Sequence, residues 1–333
     1  MVRVPVPDPH RHGRMLALGA YRPVRVVGND EIVPALGVSD EWVRTRTGIG
    51  SRRFAGPGES LADMSAAAAD KALAEAGVAP DELSMVLAAS MTHLYQAPSL
   101  AAEVAHRVGA RRAGAADISA ACAGFCYSLG VANDLIRTGS AERVLVVAAE
   151  RMSDLLDMAD RSTALVFGDG AAAVVLGPSS TPSIGPVVWG SDADHVRAIE
   201  QPRSWRCLLD EPGAGWPFLR MSGSEVYRWV ISEVAPIAQR ALDAAGVTVA
   251  DLGAFIPHQA NLRLVESLVK ALELPESVAV ARDVITNGNT SAASIPLAME
   301  ELLRNGQARS GDLALLVGFG SGLVYAAQVA ELP

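Results

Sequence analysis

Cysteine and lysine are scarce in this sequence, and each shortage excludes something. Three cysteines in 333 residues (Cys122, Cys126 and Cys207) are too few for a disulfide framework, and their spacing fits no zinc site. No metal is expected, and the expected compartment is a reducing cytoplasm. Lysine occurs only as Lys71 and Lys270, and the formal net charge is −9. Such an acidic chain is poorly suited to nucleic acid, so that class of partner is set aside. The opening stretch MVRVPVPDPHRHGRM has no apolar run and no small-residue cleavage site, so no signal peptide is expected. Long uncharged runs are missing too, with one exception. Residues 313–330 carry no charge, but GFGSG interrupts them, which predicts a buried β-hairpin and not a membrane helix.

What is present is ordinary globular chemistry, 50% hydrophobic with 30 glycines, and an internal repeat. ADKALAEAGVAPDEL begins at Ala69 and AQRALDAAGVTVADL at Ala238. Each reads as an alanine-rich amphipathic helix closed by a glycine, Gly77 or Gly246, and each leads into an apolar strand. CAGFCYSLGVANDLIRTG from Cys122 lines up with NTSAASIPLAMEELLRNG from Asn289. Both predict helices that open with small residues and precede a strand, RVLVVAAE or LALLVGF. FGDGAAAVVLG and FGSGLVYAAQV then read as strand–turn–strand units with a shared Phe-Gly-x-Gly corner. The expected organisation is two copies of one α/β unit, residues 1–180 and 181–333, layered with helices buried between sheets. On this alignment Cys122 and Asn289 occupy equivalent strand-to-helix corners, and two such corners can converge on one site.

Cys122 stands in ADISAACAGFCYSLG, where Ala120, Ala121, Ala123 and Gly124 leave clearance around it. A helix N-terminus presents free N–H groups and favours thiolate over thiol, so Cys122 is the expected nucleophile. Cys126 reads as a small core hydrophobe, and Cys207 has no assigned role. His258 in FIPHQANLR and Asn289 in TNGNTSAAS are each explicable alone, as a structural histidine and a turn residue. Together the three make a nucleophile with two hydrogen-bonding partners.

SAACAGF, FGDGAAAVVL, PHQANLR and GNTSAAS, with SDEWVRTRTGI at residues 39–49, resemble the signatures of β-ketoacyl-ACP synthase III enzymes of the thiolase superfamily. The resemblance runs from about residue 15 to the C-terminus. It implies a homodimer with the thiolase fold, a five-layered α-β-α-β-α sandwich of duplicated halves. It also implies that Cys122 takes a primer acyl group from acyl-CoA. His258 and Asn289 would stabilise the enolate formed when malonyl-ACP loses carbon dioxide, and the backbone N–H groups of Cys122 and Ser321 would form the oxyanion hole. Trp42 and Arg161 would flank the adenine of coenzyme A, Arg46 would lie near its phosphates, and Arg263 would meet the acyl carrier protein. No cofactor is implied beyond the substrates acyl-CoA and malonyl-ACP.

Some positions depart from the family pattern. Ala172 replaces a glycine in GDGAGA, and Ser321 replaces one in the C-terminal glycine cluster. Ala97 stands where some relatives carry a bulky aromatic, in a loop that reaches the partner subunit's acyl pocket, which implies a primer larger than acetyl. AERMSDLLDMADRS is closer to the starter-unit enzymes of polyketide pathways. The alternative activity on the same fold is acyl transfer to a hydroxyl or amine without decarboxylation.

Overall fold

The computed structural model describes residues 10–333. Ten strands form two five-stranded sheets. The first contains β1 (His12–Tyr21), β2 (Met85–Ala89), β3 (Gly114–Ile118), β4 (Val144–Glu150) and β5 (Gly170–Ser179), in the order β1-β5-β4-β2-β3. The second contains β6 (Val188–Ser191), β7 (Ala254–Pro257), β8 (Ala279–Val280), β9 (Leu313–Gly320) and β10 (Val324–Glu331), in the order β6-β10-β9-β7-β8. The second order repeats the first. The pairing senses match as well: three strands at one end of each sheet run parallel, and the other two are joined antiparallel.

Six helices complete the layers: α1 (Leu61–Ala76), α2 (Leu100–Val108), α3 (Gly124–Arg137), α4 (Ala235–Ala245), α5 (Leu262–Ala271) and α6 (Ser294–Arg304). α1 and α2 cover the outer face of the first sheet, and α4 and α5 that of the second. α3 and α6 are sandwiched between the sheets: α3 touches β4 and β9, while α6 touches β1, β5 and β7. This is the five-layered α-β-α-β-α sandwich of the thiolase fold. β4 shows why the central strands read as unbroken apolar runs. Val144, Val146 and Ala148 face the middle layer, and Leu145, Val147 and Ala149 face α1 and α2, so neither face meets water. Residues 313–330 fall in the β9–β10 hairpin, with Gly320 opposite Val324. Among the described residues no helix is long and apolar enough to cross a membrane.

The repeat is imperfect at two places. α3 and α6 are each entered through a 3-10 turn whose first residue has positive φ, Ala121 (45°) and Ser291 (48°), and each is followed by a left-handed glycine, Gly139 or Gly306. Ala121 precedes Gly139 by 18 residues, but Ser291 precedes Gly306 by only 15. An alignment anchored on the glycines therefore slips by three residues at the corners. Cys122 corresponds in conformation to Ala292, and Asn289 lies just ahead of its corner, in a parallel bridge with Phe167. The second departure is at FGDG. In the second half Phe319 and Gly320 end a strand that turns directly into its neighbour. In the first half residues 151–169 separate β4 from β5, so Phe167 is not a hairpin corner. Instead this segment docks on the Asn289 loop: Gly168 N–H donates to Asn289 O, and Asn289 N–H to Val166 O, both at 2.9 Å.

Candidate active site

A cavity of about 510 Å³ opens between the halves, and Cys122, His258 and Asn289 all line it. Each arrives from a different element. Cys122 sits in the turn that enters α3, His258 follows β7, and Asn289 precedes α6. Two glycines bring the end of β9 against the cysteine turn. A Cβ on Gly318 would lie 2.9 Å from Ala123 Cα, and one on Gly320 would lie 2.7 Å from Cys122 N. Neither position has room for a side chain. Ser321, next along, also lines the cavity; its φ is not positive and its hydroxyl donates to Ile199 O at 2.5 Å. Serine is therefore accommodated in the glycine cluster without backbone strain.

The Cys122 thiol is nearly inaccessible, at 6% exposure. Burial pushes it up to about 12; a hydrogen bond with Ser291 works against that shift, and the charge of Glu150 adds to it. The helix N-terminus that favours the thiolate is here opposed by burial. Desolvation outweighs the helix end, and the resting nucleophile is the thiol. Cys126 is also pushed up to about 12 by burial and does not line the cavity, in keeping with a core residue. Cys207 is buried in the short helix Cys207–Asp210, away from the cavity lining.

His258 is held on three sides. Its backbone N–H donates to Val317 O at 2.8 Å, its Nδ1 lies 2.7 Å from Ser294 Oγ, and the Phe319 ring meets it edge-on at 5.1 Å between centroids. Burial pushes its imidazole down to about 3, so it is neutral at ordinary pH. Asn289 Oδ1 accepts the backbone N–H of Ser291 at 2.8 Å. That contact fixes the amide, because an N–H faces only an acceptor, and leaves Nδ2 as the donor. The arrangement thus offers a thiol, a neutral imidazole and an oriented amide donor in one cavity.

The exposed end of the same cavity is lined by Trp42, Arg46, Arg161 and Arg263. Trp42 and Arg46 belong to the helix Asp40–Thr47, capped by Ser39, whose hydroxyl accepts Trp42 N–H. The Arg46 guanidinium lies over the Trp42 ring at 4.9 Å, and that of Arg263 over Tyr227 at 5.5 Å. Ala97 is the exception among the expected site residues. It is exposed and does not reach the cavity of its own chain. Sequence reasoning also passed over Ser291 and Ser294, seen only as small residues of GNTSAAS, and Glu150, seen only as the end of an apolar strand. A carboxylate closing a fully apolar run was the available signal for Glu150.

Comparison with known proteins points one way. Residues 116–193 match the family model described as 3-oxoacyl-[acyl-carrier-protein] synthase III, and residues 242–332 match the model of its C-terminal part. A β-ketoacyl-[acyl-carrier-protein] synthase III of Streptomyces glaucescens is 52% identical over 322 residues, covering 97% of each chain. A mycobacterial β-ketoacyl-[acyl-carrier-protein] synthase III of Mycobacterium avium is 50% identical, covering 96% of this chain and 95% of the relative. Among solved structures, the priming β-ketosynthase of a polyketide biosynthetic pathway superposes with a TM-score of 0.96 at 47% identity, covering 100% of this chain and 98% of the other.

Proposed function

The chain belongs to the 3-oxoacyl-[acyl-carrier-protein] synthase III family and is an acyltransferase of that condensing type; we propose that it loads a primer acyl group from acyl-CoA onto Cys122 and condenses it with malonyl-ACP. The observation that carries this assignment is the single cavity: thiol, imidazole and amide at its buried end, Trp42 and four arginines, Arg46, Arg161, Arg228 and Arg263, at its exposed end.

The steps follow from the residues. The Trp42 ring and the guanidinium groups of Arg46 and Arg161 suit an adenine and its phosphates. Arg263, beside them, suits the acidic surface of a carrier protein. The Cys122 sulfur attacks the thioester, and the backbone N–H groups of Cys122 and Ser321 hold the developing oxyanion. Malonyl-ACP then places its thioester oxygen against Asn289 Nδ2 and His258 Nε2, and loss of carbon dioxide leaves an enolate held by two donors. The enolate carbon attacks the acyl-cysteine. Leu165, Val166, Phe167, Ile199, Leu219 and Leu323 make the inner wall apolar, which suits a hydrocarbon primer. No cofactor takes part in these steps.

We also assign a homodimer. β3 is an edge strand with Gly114 and Ala115 exposed, and Leu94 and Tyr95 are exposed nearby in sequence to Ala97. An uncovered apolar edge suits pairing with a second copy, and Ala97 would then border the partner's primer pocket. The three unpaired cysteines support a reducing, cytoplasmic setting.

Intact-protein mass spectrometry with a panel of acyl-CoAs, followed by labelled carbon dioxide release from malonyl-ACP, tests the assignment. The expected result is an acyl adduct on Cys122 and carbon dioxide released on adding malonyl-ACP. An adduct passed to an alcohol or amine with no carbon dioxide released would establish plain acyl transfer instead.

A further inference from the structure

The turn between β9 and β10 runs Ser321-Gly322-Leu323, just beyond the last ladder pair, Gly320 with Val324. Ser321 therefore has a glycine on either side, and Gly322 takes a positive φ of 130°. Glycines at both flanks place the fewest steric limits on the Ser321 peptide. The side chain supplies an anchor: Ser321 Oγ donates to Ile199 O at 2.5 Å, a partly buried bond across 122 residues of chain. The family pattern has glycine at this position, and glycine carries no hydroxyl. This anchor therefore separates the chain from relatives that keep that glycine.

Ile199 is itself firmly held. Ile199–Glu200 pairs antiparallel with Arg220–Met221 as a short ribbon, and Ser222 N–H donates to Ala198 O at 2.8 Å. The second strand of the ribbon is fastened to the segment 151–169 of the first half. Leu219 N–H donates to Leu155 O at 2.9 Å, and Arg220 pairs with Asp157 at 2.8 Å and Asp160 at 3.1 Å. Ile199 and Leu219 are buried, and with Met221 they line the cavity. A second bond ties the hairpin turn to the chain leading into the ribbon, from Asp192 N–H to Leu323 O at 2.8 Å. The carbonyl that Ser321 holds is thus a fixed point and not a loose loop.

We propose that the Ser321 hydroxyl is a positioning group for acyl loading: anchored on Ile199 O, it holds the Ser321 N–H in the direction of the oxyanion. The proposal rests on Cys122 as the acylated residue and on the Ser321 N–H as an oxyanion donor. Close packing of Gly320 on Cys122 N sets how near the turn comes to the nucleophile. The hydroxyl sets how the next N–H is aimed. A donor fixed in advance stabilises charge as it develops, with no reorientation during the reaction. The hydroxyl exchanges no proton and forms no bond with the substrate, so it acts only through its own backbone.

Single-turnover loading over a series of acyl-CoA concentrations, quenched and read by intact mass, provides the test. Ser321→Ala keeps the backbone N–H and loses the anchor. Its limiting loading rate should fall roughly 3- to 10-fold, the worth of one hydrogen bond. The half-saturating acyl-CoA concentration should hold, because Trp42, Arg46 and Arg161 are untouched. Ser321→Thr retains a hydroxyl and should recover most of the loss. Ser321→Gly introduces the residue of the family pattern and should be as slow as Ser321→Ala; it decides the matter if Ser321→Ala does not fold. A wild-type limiting rate in folded Ser321→Ala or Ser321→Gly would overturn the proposal, even with a lowered melting temperature. So would a loss confined to the half-saturating concentration, or a folded Ser321→Thr as slow as Ser321→Ala. An acyl group mapped to a residue other than Cys122 in wild type would instead overturn the site assignment.

Discussion

Ser294 Oγ lies 2.7 Å from His258 Nδ1 and accepts the backbone N–H of Gln259 at 3.3 Å. With a lone pair occupied by Gln259, the hydroxyl proton is available to Nδ1. With that proton donated to Nδ1, the imidazole proton resides on Nε2 of a ring that lines the cavity. A Ser294 hydroxyl that donates to Nδ1 matches the tautomer that an enolate oxygen requires.

Replacing that serine tests the relationship. Ser294→Ala should lower carbon dioxide release about 2- to 10-fold, the worth of one buried hydrogen bond. Acyl loading should fall less, because it does not use the Nε2 donor. Labelled carbon dioxide release beside mass-detected acylation of the same variant gives both numbers.

Asn289 contributes a donor whose direction is set by Ser291. Asn289→Ala should keep acyl-Cys122 formation and lose carbon dioxide release by on the order of 100- to 1000-fold. Asn289→Asp retains the oxygen that Ser291 N–H holds but substitutes an acceptor for Nδ2, and should show a comparable loss with the fold intact. Release at the wild-type rate in either variant would remove Asn289 from the decarboxylation step.

Gly320 is required by space rather than by conformation, since its φ is not positive. Gly320→Ala places a Cβ 2.7 Å from Cys122 N, so β9 or the cysteine turn must move. Overpacking of this kind costs about 1–3 kcal/mol. A lowered melting temperature together with slowed acylation is the expected outcome. Gly77→Ala, at an open left-handed cap, should lower stability without slowing acylation once folded.

His258 gives a prediction with a definite sign. Its imidazole stays neutral from pH 8 down through its ordinary value of 6.5. The rate of carbon dioxide release should show no limb near 6.5 from this residue. For stability, the unfolded chain takes up a proton as pH falls through 6.5, while the folded chain does so only near 3. The contribution of His258 is therefore complete above 6.5 and is lost with acid across that window. Urea unfolding at pH 7 and pH 5 should show a larger loss for wild type than for His258→Gln.

Much of the fold is legible in the repeat, because alanine-rich helices with glycine caps and unbroken apolar strands each permit few arrangements. α1 and α4, closed by Gly77 and Gly246, recur as expected. The slip of three residues at the second corner was hidden because Gly139 and Gly306 anchor an alignment that looks continuous. The burial that opposes ionisation of Cys122 is hidden in the sequence for a related reason. A helix end is visible in a sequence, but the depth of burial that overrides it arises from strands far away in the chain. Glu150 and Ser291 were passed over because their meaning lies in their pairing, and 141 residues separate them.

The origin of the cavity residues bears on the chain before it has finished folding. Cys122 is packed against the end of β9, and His258 and Asn289 reach the same cavity from β7 and from the segment ahead of α6. A nascent or partly unfolded molecule holds none of these in place, and its cysteine is an ordinary thiol exposed to water. Reactivity toward thioesters thus reports on completed assembly, and a chain that has not yet closed its two halves cannot consume acyl-CoA without product.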